Sequence, residues 1–358
     1  MTRYIRLLSI ILMLQFFGIN ACTGSKVDQD EIKKANQFFE SIFQDRVLDS
    51  PEFQSRLGYK SNYDQWDDIT YERSRKNARQ AIFDLDYLNE NINIEKLDSK
   101  TAISYRLMAK SLERRIDSDD FLFRQYMVTH RGGKHSSIPS FLINYHAVED
   151  ERDIQDYIGR LRNIEPLIED LMKEMSLREE VGTIAPMFVY PKAIAVSKNI
   201  ISGYPFEEVK KQNVIYEDLV KKIDATDLTD AVKLRYKSEA EAILVTTVNY
   251  AYRSFIDFLS AQQLKATNND GVWKYPNGAA YYQHTLDQYT TLGLTAEEIH
   301  QIGLDEVARI HKEIYAIMET VAFEGTLQEF FDFMRTDPQF YYPPVSYTHL
   351  RAHETINH

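Results

Sequence analysis

The sequence predicts an all-α protein, a large multi-helix array with little or no sheet. Three observations carry this expectation. Apolar residues recur at spacings of three and four along most of the chain, recognisable helix caps stand at several of the breaks, and alternating strand patterns with turn signals are scarce. The body is 44% hydrophobic and holds only 13 glycines and 10 prolines in 358 residues, enough apolar material for one large core or two joined subdomains.

The first 21 residues stand apart. Arg3 and Arg6 make a positive start, Leu7 to Phe17 is an apolar run too short for an ordinary membrane span, and Ile19-Asn20-Ala21-Cys22 resembles a bacterial lipobox. Residues 1–21 are therefore expected to be a lipoprotein signal peptide. Cys22, the only cysteine, is expected to be lipidated and to become the mature N-terminus, which leaves no disulfide within the chain. Thr23 stands where an aspartate would resemble an inner-membrane retention signal. The expected location is the outer membrane, facing the periplasm. Removing Arg3 and Arg6 from the formal balance of −12 leaves about −14, so a basic face for nucleic acid is excluded as a reading.

Residues 22–30 read as a polar tether and residues 31–344 as the helical domain. In "EIKKANQFFESIFQDRVL" Ile32, Ala35, Phe38, Phe39, Ile42 and Phe43 form one apolar stripe. Ser50-Pro51-Glu52 reads as an N-cap, a proline at the first helical position and an acid in the first turn. Further amphipathic stretches run over about residues 68–90, 98–116, 150–175, 206–223 and 228–262. Thr295-Ala296-Glu297-Glu298 is a capping box. It opens a helix whose apolar face carries Ile299, Gly303, Val307, Ile310, Ile314, Ile317 and Val321, and Gly325 is a plausible stop. "MFVYP" at Met187 to Pro191 is the best strand candidate. Glycine and proline mark loops at His130 to Ser140 and Asn268 to Tyr282.

The tail "YYPPVSYTHLRAHETINH" concentrates histidines. His349 and His353 have the four-residue spacing that directs two ligands to one metal ion, but His353 and His358 are five apart and diverge by about 140° around a helix. Glu354 follows His353 with only four residues after it, too few for a third ligand and its supporting shell. Val345 to Thr355 also resemble one reading frame of a transposase adapter used in sequencing libraries. Residues 345–358 are thus read as a non-native tail and the natural chain as interrupted near Pro344.

Other constellations are weaker. His300 and His311 share a helix face but lie about 16 Å apart along the axis, too far to share an ion. "HRGGKH" at His130 to His135 offers Arg131 and Lys134 for an anion contact but lacks the strand and helix of a phosphate loop, and its plainer reading is a mobile cationic loop. No Gly-x-Ser-x-Gly or Cys-His arrangement supports a serine or cysteine nucleophile. In "GVWKYPNGAAYYQHTLDQYTT", Tyr281, Tyr282 and His284 place phenol and imidazole groups where they could reach a substrate carbonyl. Packed tyrosines with bonded hydroxyls are the plainer reading.

That segment carries a family resemblance. Gly271, Trp273, Pro276, Gly278, Tyr281, Tyr282, Thr290, Thr291, Glu298, Ile299, His300, Gly303, Leu304, Glu306, Val307, Arg309 and Ile310 fall on a pattern similar to that of the bacterial domain of unknown function 885. Weaker echoes reach back to "SPEFQSRLGY" and "YIGRLRNIEPLIEDLMKEM". The resemblance implies the N-terminal part of a helical zinc-peptidase fold forming one wall of a peptide cleft, with a peptide substrate and a zinc ion (Zn2+) in the full-length protein. It also implies a His-Glu-x-x-Pro-Gly-His-His motif, which is absent here, so no metal residue and no catalytic residue is assigned. The chain as it stands is expected to be an inactive fragment whose missing helices leave an apolar face exposed. Tyr281, Tyr282 and His284 are the expected substrate contacts, whereas Glu298, His300, Glu306 and Arg309 receive no role. The other reading is a non-catalytic helical envelope lipoprotein that binds peptides or protein partners.

Overall fold

A computed structural model describes residues 27–341. The signal segment, Cys22, most of the tether, and the tail with His349, His353, Glu354 and His358 lie outside the described residues. The all-α expectation holds. By internal contact the chain divides after Tyr281 into two compact units.

In the first unit, α1 (Gln29–Leu48) starts at Asp28, whose carboxylate accepts from the amides of Asp30 and Glu31. The short α2 (Pro51–Arg56) has the predicted start: Ser50 caps the Phe53 amide and Pro51 takes the first turn. Helices α3 (Tyr71–Asn91) and α4 (Ser99–Asp117) pack on each other and, with α1, enclose a small core of Ala35, Ala81, Leu88, Ile92, Leu97 and Leu112.

The larger core belongs to the helices that follow. These are α5 (Lys134–Tyr145), α6 (Glu151–Arg162), α7 (Ile164–Glu180), α8 (Val189–Ile200), α9 (Val214–Asp224), α10 (Asp230–Ile243) and α11 (Asn249–Gln263). Ile154, Tyr157, Leu161, Leu171, Leu219, Leu244, Tyr252 and Phe255 are among its buried side chains. Each fully buried aliphatic or aromatic chain of this size is worth about 1.5–3 kcal/mol. The stretch expected at 150–175 is two helices, because Asn163 stands between them and holds the Asp64 carbonyl through its side chain. Gly159 makes this possible: a Cβ there would meet Cβ of Asp64 at 2.8 Å, so only glycine lets the 61–69 segment lie on α6. The 228–262 stretch is one rod interrupted by a π-helical turn, Leu244–Val248, between α10 and α11. On one side of that turn the rod packs on α6 and α9, and on the other on α7 and α8.

Two local expectations are corrected. Met187 to Pro191 is not a strand, because Val189 opens α8 and Pro191 falls in its first turn, where its missing N–H costs nothing. His130 to Ser140 is not one loop. Thr129 and Gly132 close a small hairpin, β1 (Val128–Thr129) with β2 (Gly132–Gly133), and α5 begins at Lys134. Among the described residues no helix is long and apolar enough to cross a membrane.

Helix α12 (Gly278–Thr290) runs across the unit boundary. The second unit continues with α13 (Ala296–Thr320), opened by the predicted Thr295–Glu298 capping box, and α14 (Leu327–Thr336). Helix α13 stops before Gly325, at Val321 and Ala322, the latter with a φ of 51°. Phe323, Phe330 and Phe333 pack against one another, and Phe340 against Phe333, in edge-on or tilted contacts at 5.1–6.5 Å. Most of the α13 stripe stays open to solvent, with Val307 50%, Ile310 42% and Ile317 53% exposed.

Candidate functional site

The described residues contain a cleft of about 450 Å³. It lies in the first unit between the end of α2 and the 143–149 segment that leaves α5, and Arg56, Lys60, Tyr63, Tyr145, His146 and Lys222 line it. Behind it sits Arg160, fully buried on α6. Its Nε donates to the Gln65 carbonyl at 3.1 Å, its Nη1 to Nδ1 of His146 at 2.8 Å, and its Nη2 to Oγ of Ser55 at 2.6 Å. The rings of Phe141, Tyr63 and Trp66 surround the guanidinium at 4.9–5.7 Å. All these partners are neutral. Burial pulls the Arg160 pKa down to about 10, although Tyr63 and the carboxylates of Glu52, Asp64 and Asp156 oppose the shift.

His146 is held on both sides. Arginine only donates, so Nδ1 accepts and the ring proton resides on Nε2, 3.0 Å from the Asp153 carbonyl. The imidazole stacks on Tyr63 at 4.0 Å and meets Tyr157 edge-on at 4.8 Å. Burial, then the adjacent Arg160, push its pKa down to about 3. It is a fixed neutral ring. Lys60 spans Glu149 at 2.8 Å and the buried Asp153 at 2.7 Å, and against its own desolvation these two bonds hold its pKa above the usual lysine value. Lys222 donates to the Leu142 and Ile143 carbonyls and pairs with Asp218 at 2.7 Å. Arg56 is exposed and stacks over Tyr145 at 4.8 Å.

The residues expected from sequence lie elsewhere. Tyr281, in α12, packs its ring against Phe121 at 5.6 Å and Tyr275 at 6.4 Å. Tyr275 in turn meets Tyr126, hydroxyl to hydroxyl, at 2.8 Å. Tyr282 is half exposed and follows about 100° further around the helix, while His284 is three positions on from Tyr281. Glu298 has a structural task, accepting from the amide and hydroxyl of Thr295. Glu306 and Arg309 form, with Glu313, a solvated ion-pair row on α13, and His300 is exposed on the same helix. Lys134 is not free for an anion: it pairs with Glu52 and lies 5.2 Å from the Trp66 ring. His135 is fully buried with neither ring nitrogen bonded, and burial takes its pKa down to about 4.

Sequence reasoning missed the cleft because its parts lie at 55–63, 143–149, 160 and 222. One signal was available. Arg160 interrupts the apolar face of α6, three positions after Tyr157 and beside Leu161, where a solvated arginine has no place.

Among the described residues no three histidine, cysteine, aspartate or glutamate side chains converge on one point, so these residues do not fit a zinc site.

The helices and their cleft define a large all-α array with a polar cleft in its first unit. The chain belongs to the family described as bacterial protein of unknown function (DUF885), whose model matches residues 51–353. It is similar to the crystal structure of a candidate lipoprotein from Colwellia psychrerythraea, with TM-score 0.70 and 22% identity over 88% of this chain and 55% of that one. It is also similar to a candidate lipoprotein of unknown function from Shewanella oneidensis, with TM-score 0.56 and 17% identity over 82% of this chain and 49% of the other. The chain thus spans about half the length of these two structures. No curated protein matches.

Proposed function

We propose that this is a lipid-anchored envelope protein whose described helices form the N-terminal, ligand-binding wall of a zinc-dependent peptidase. The observation that carries the reading is the length relation: 88% of this chain overlays 55% of a larger helical protein. The motif from Gly271 to Ile310 and the family match support it. Lipid attachment at Cys22, an outer-membrane site facing the periplasm and a peptide substrate belong to the same reading. So does substrate contact by Tyr281, Tyr282 and His284. Zinc would belong to residues other than those described, and no step is derived through it.

The test is the gene across codon 344. An open frame continuing into His-Glu-x-x-Pro-Gly-His-His, whose product binds zinc and cleaves peptides, is the expected result. A natural stop codon at that point would leave the non-catalytic helical lipoprotein that binds peptides or envelope partners. Palmitate labelling of the expressed chain, lost in Cys22→Ala, tests the anchor.

A further inference from the structure

We propose that the cleft between α2 and the 143–149 segment is a binding site for a carboxylate anion, gripped at its rim by Arg56. The proposal goes beyond the peptidase reading and stands without it.

The first ground is where the charge lies. The protein as a whole carries −12, yet cations gather at this cleft. Two of them are locally neutralised: Lys60 by Glu149 and Asp153, and Lys222 by Asp218. Arg160 stands behind the cleft, since Ser55 and His146, which touch its guanidinium, also line it, but the carboxylates of Glu52, Asp64 and Asp156 act on it. Arg56 makes no ion pair among the described residues.

The second ground is preorganisation. The Arg56 guanidinium lies over the Tyr145 ring at 4.8 Å and the Phe141 ring at 5.8 Å, which limits its freedom while the residue stays exposed. A carboxylate is the planar, two-oxygen partner that fits a guanidinium bidentately. A volume of about 450 Å³ takes a small molecule or the end of a peptide.

The third ground selects the ligand. Glu149, with its side chain 76% exposed, stands on the same cleft wall. It places an acceptor beside the cationic rim, which suits a ligand carrying N–H groups as well as a carboxylate. Glu149 can also accept an N–H from the remainder of a ligand whose carboxylate sits on Arg56.

The experiment is calorimetric titration of the full chain with N-acetylglycylglycine as the free acid, the same compound as its amide, and inorganic phosphate. The expected result is that the free acid binds at least about tenfold more tightly than the amide and no less tightly than phosphate. Arg56→Gln should weaken free-acid binding by about tenfold without changing the melting temperature, because the side chain is exposed. Arg235→Gln, which removes an exposed cation elsewhere, should leave it unchanged. Absence of binding, equal binding of acid and amide, tighter binding of phosphate, or an Arg56→Gln chain that binds as the parent does would each overturn the proposal.

Discussion

Nη1 of Arg160 lies 2.8 Å from Nδ1 of His146, so a buried cation uses the lone pair of a neutral imidazole as its acceptor. An imidazolium cannot accept, and the pair therefore exists only while His146 is uncharged. His146→Ala should destabilise the protein by about 1–3 kcal/mol, since it strips Nη1 of its partner and Tyr63 of a stacked ring. Urea unfolding followed by circular dichroism would measure it, and an unchanged midpoint would count against the arrangement.

The two buried histidines set a pH response. The pKa of His146 is pushed down to about 3 and that of His135 to about 4, both below the roughly 6.5 of an unfolded histidine. Below about pH 6.5 the unfolded chain holds protons that the folded chain refuses, so these groups lower stability as pH falls. The loss accrues at up to about 1.4 kcal/mol per pH unit for each histidine, and ceases near pH 4 for His135 and near pH 3 for His146. His135→Leu should flatten this dependence between pH 6 and pH 4, measured as unfolding free energy at several pH values. An undiminished slope would refute the assignment.

Among the described residues Lys60 is the only side chain bonding both Glu149 and Asp153, and Asp153 also accepts from the Glu149 and Asp150 amides at the start of α6. Lys60→Met leaves a buried carboxylate with amides alone. A loss of about 1–3 kcal/mol is expected, with faster hydrogen exchange at the 149–153 amides. Protection equal to that of the parent would show that the amides suffice.

Helix α13 presents Val307, Ile310, Ile317 and, at its end, Val321 to solvent, an apolar row of the kind that drives association. The expressed chain should self-associate at high concentration, and Val307→Glu with Ile310→Lys should reduce this without lowering helicity. Light scattering decides, and a chain monomeric without those changes would contradict the expectation.

How far the sequence could be read depends on the range of the interaction. Caps are local, so Ser50, Thr295 and Glu298 announced their helices correctly. The α6–α7 break was hidden because Asn163 is fixed by Asp64, a residue 99 positions away. Met187 to Pro191 read as a strand, yet the place of Pro191 in a first turn makes it compatible with helix. The cleft is longer-range still: Arg160 reaches Ser55 across 105 positions, and no periodicity encodes that meeting. The tyrosines at 281 and 282 were legible as a motif, but chain adjacency on a helix separates rather than unites their side chains.

The π-helical turn at Leu244–Val248 is a place where the α10–α11 rod can lose a residue and keep its alignment. Its hydrogen bonds span one residue more than those of an α-helix, so removing Thr246 lets the turn close as ordinary α-helix with the flanking segments near their present phase. Removing Arg253 instead would rotate everything after it by about 100° relative to everything before it. Phe255 and Leu259 would then swing away from α7 and α8 together, like the teeth of a key cut one notch out of step.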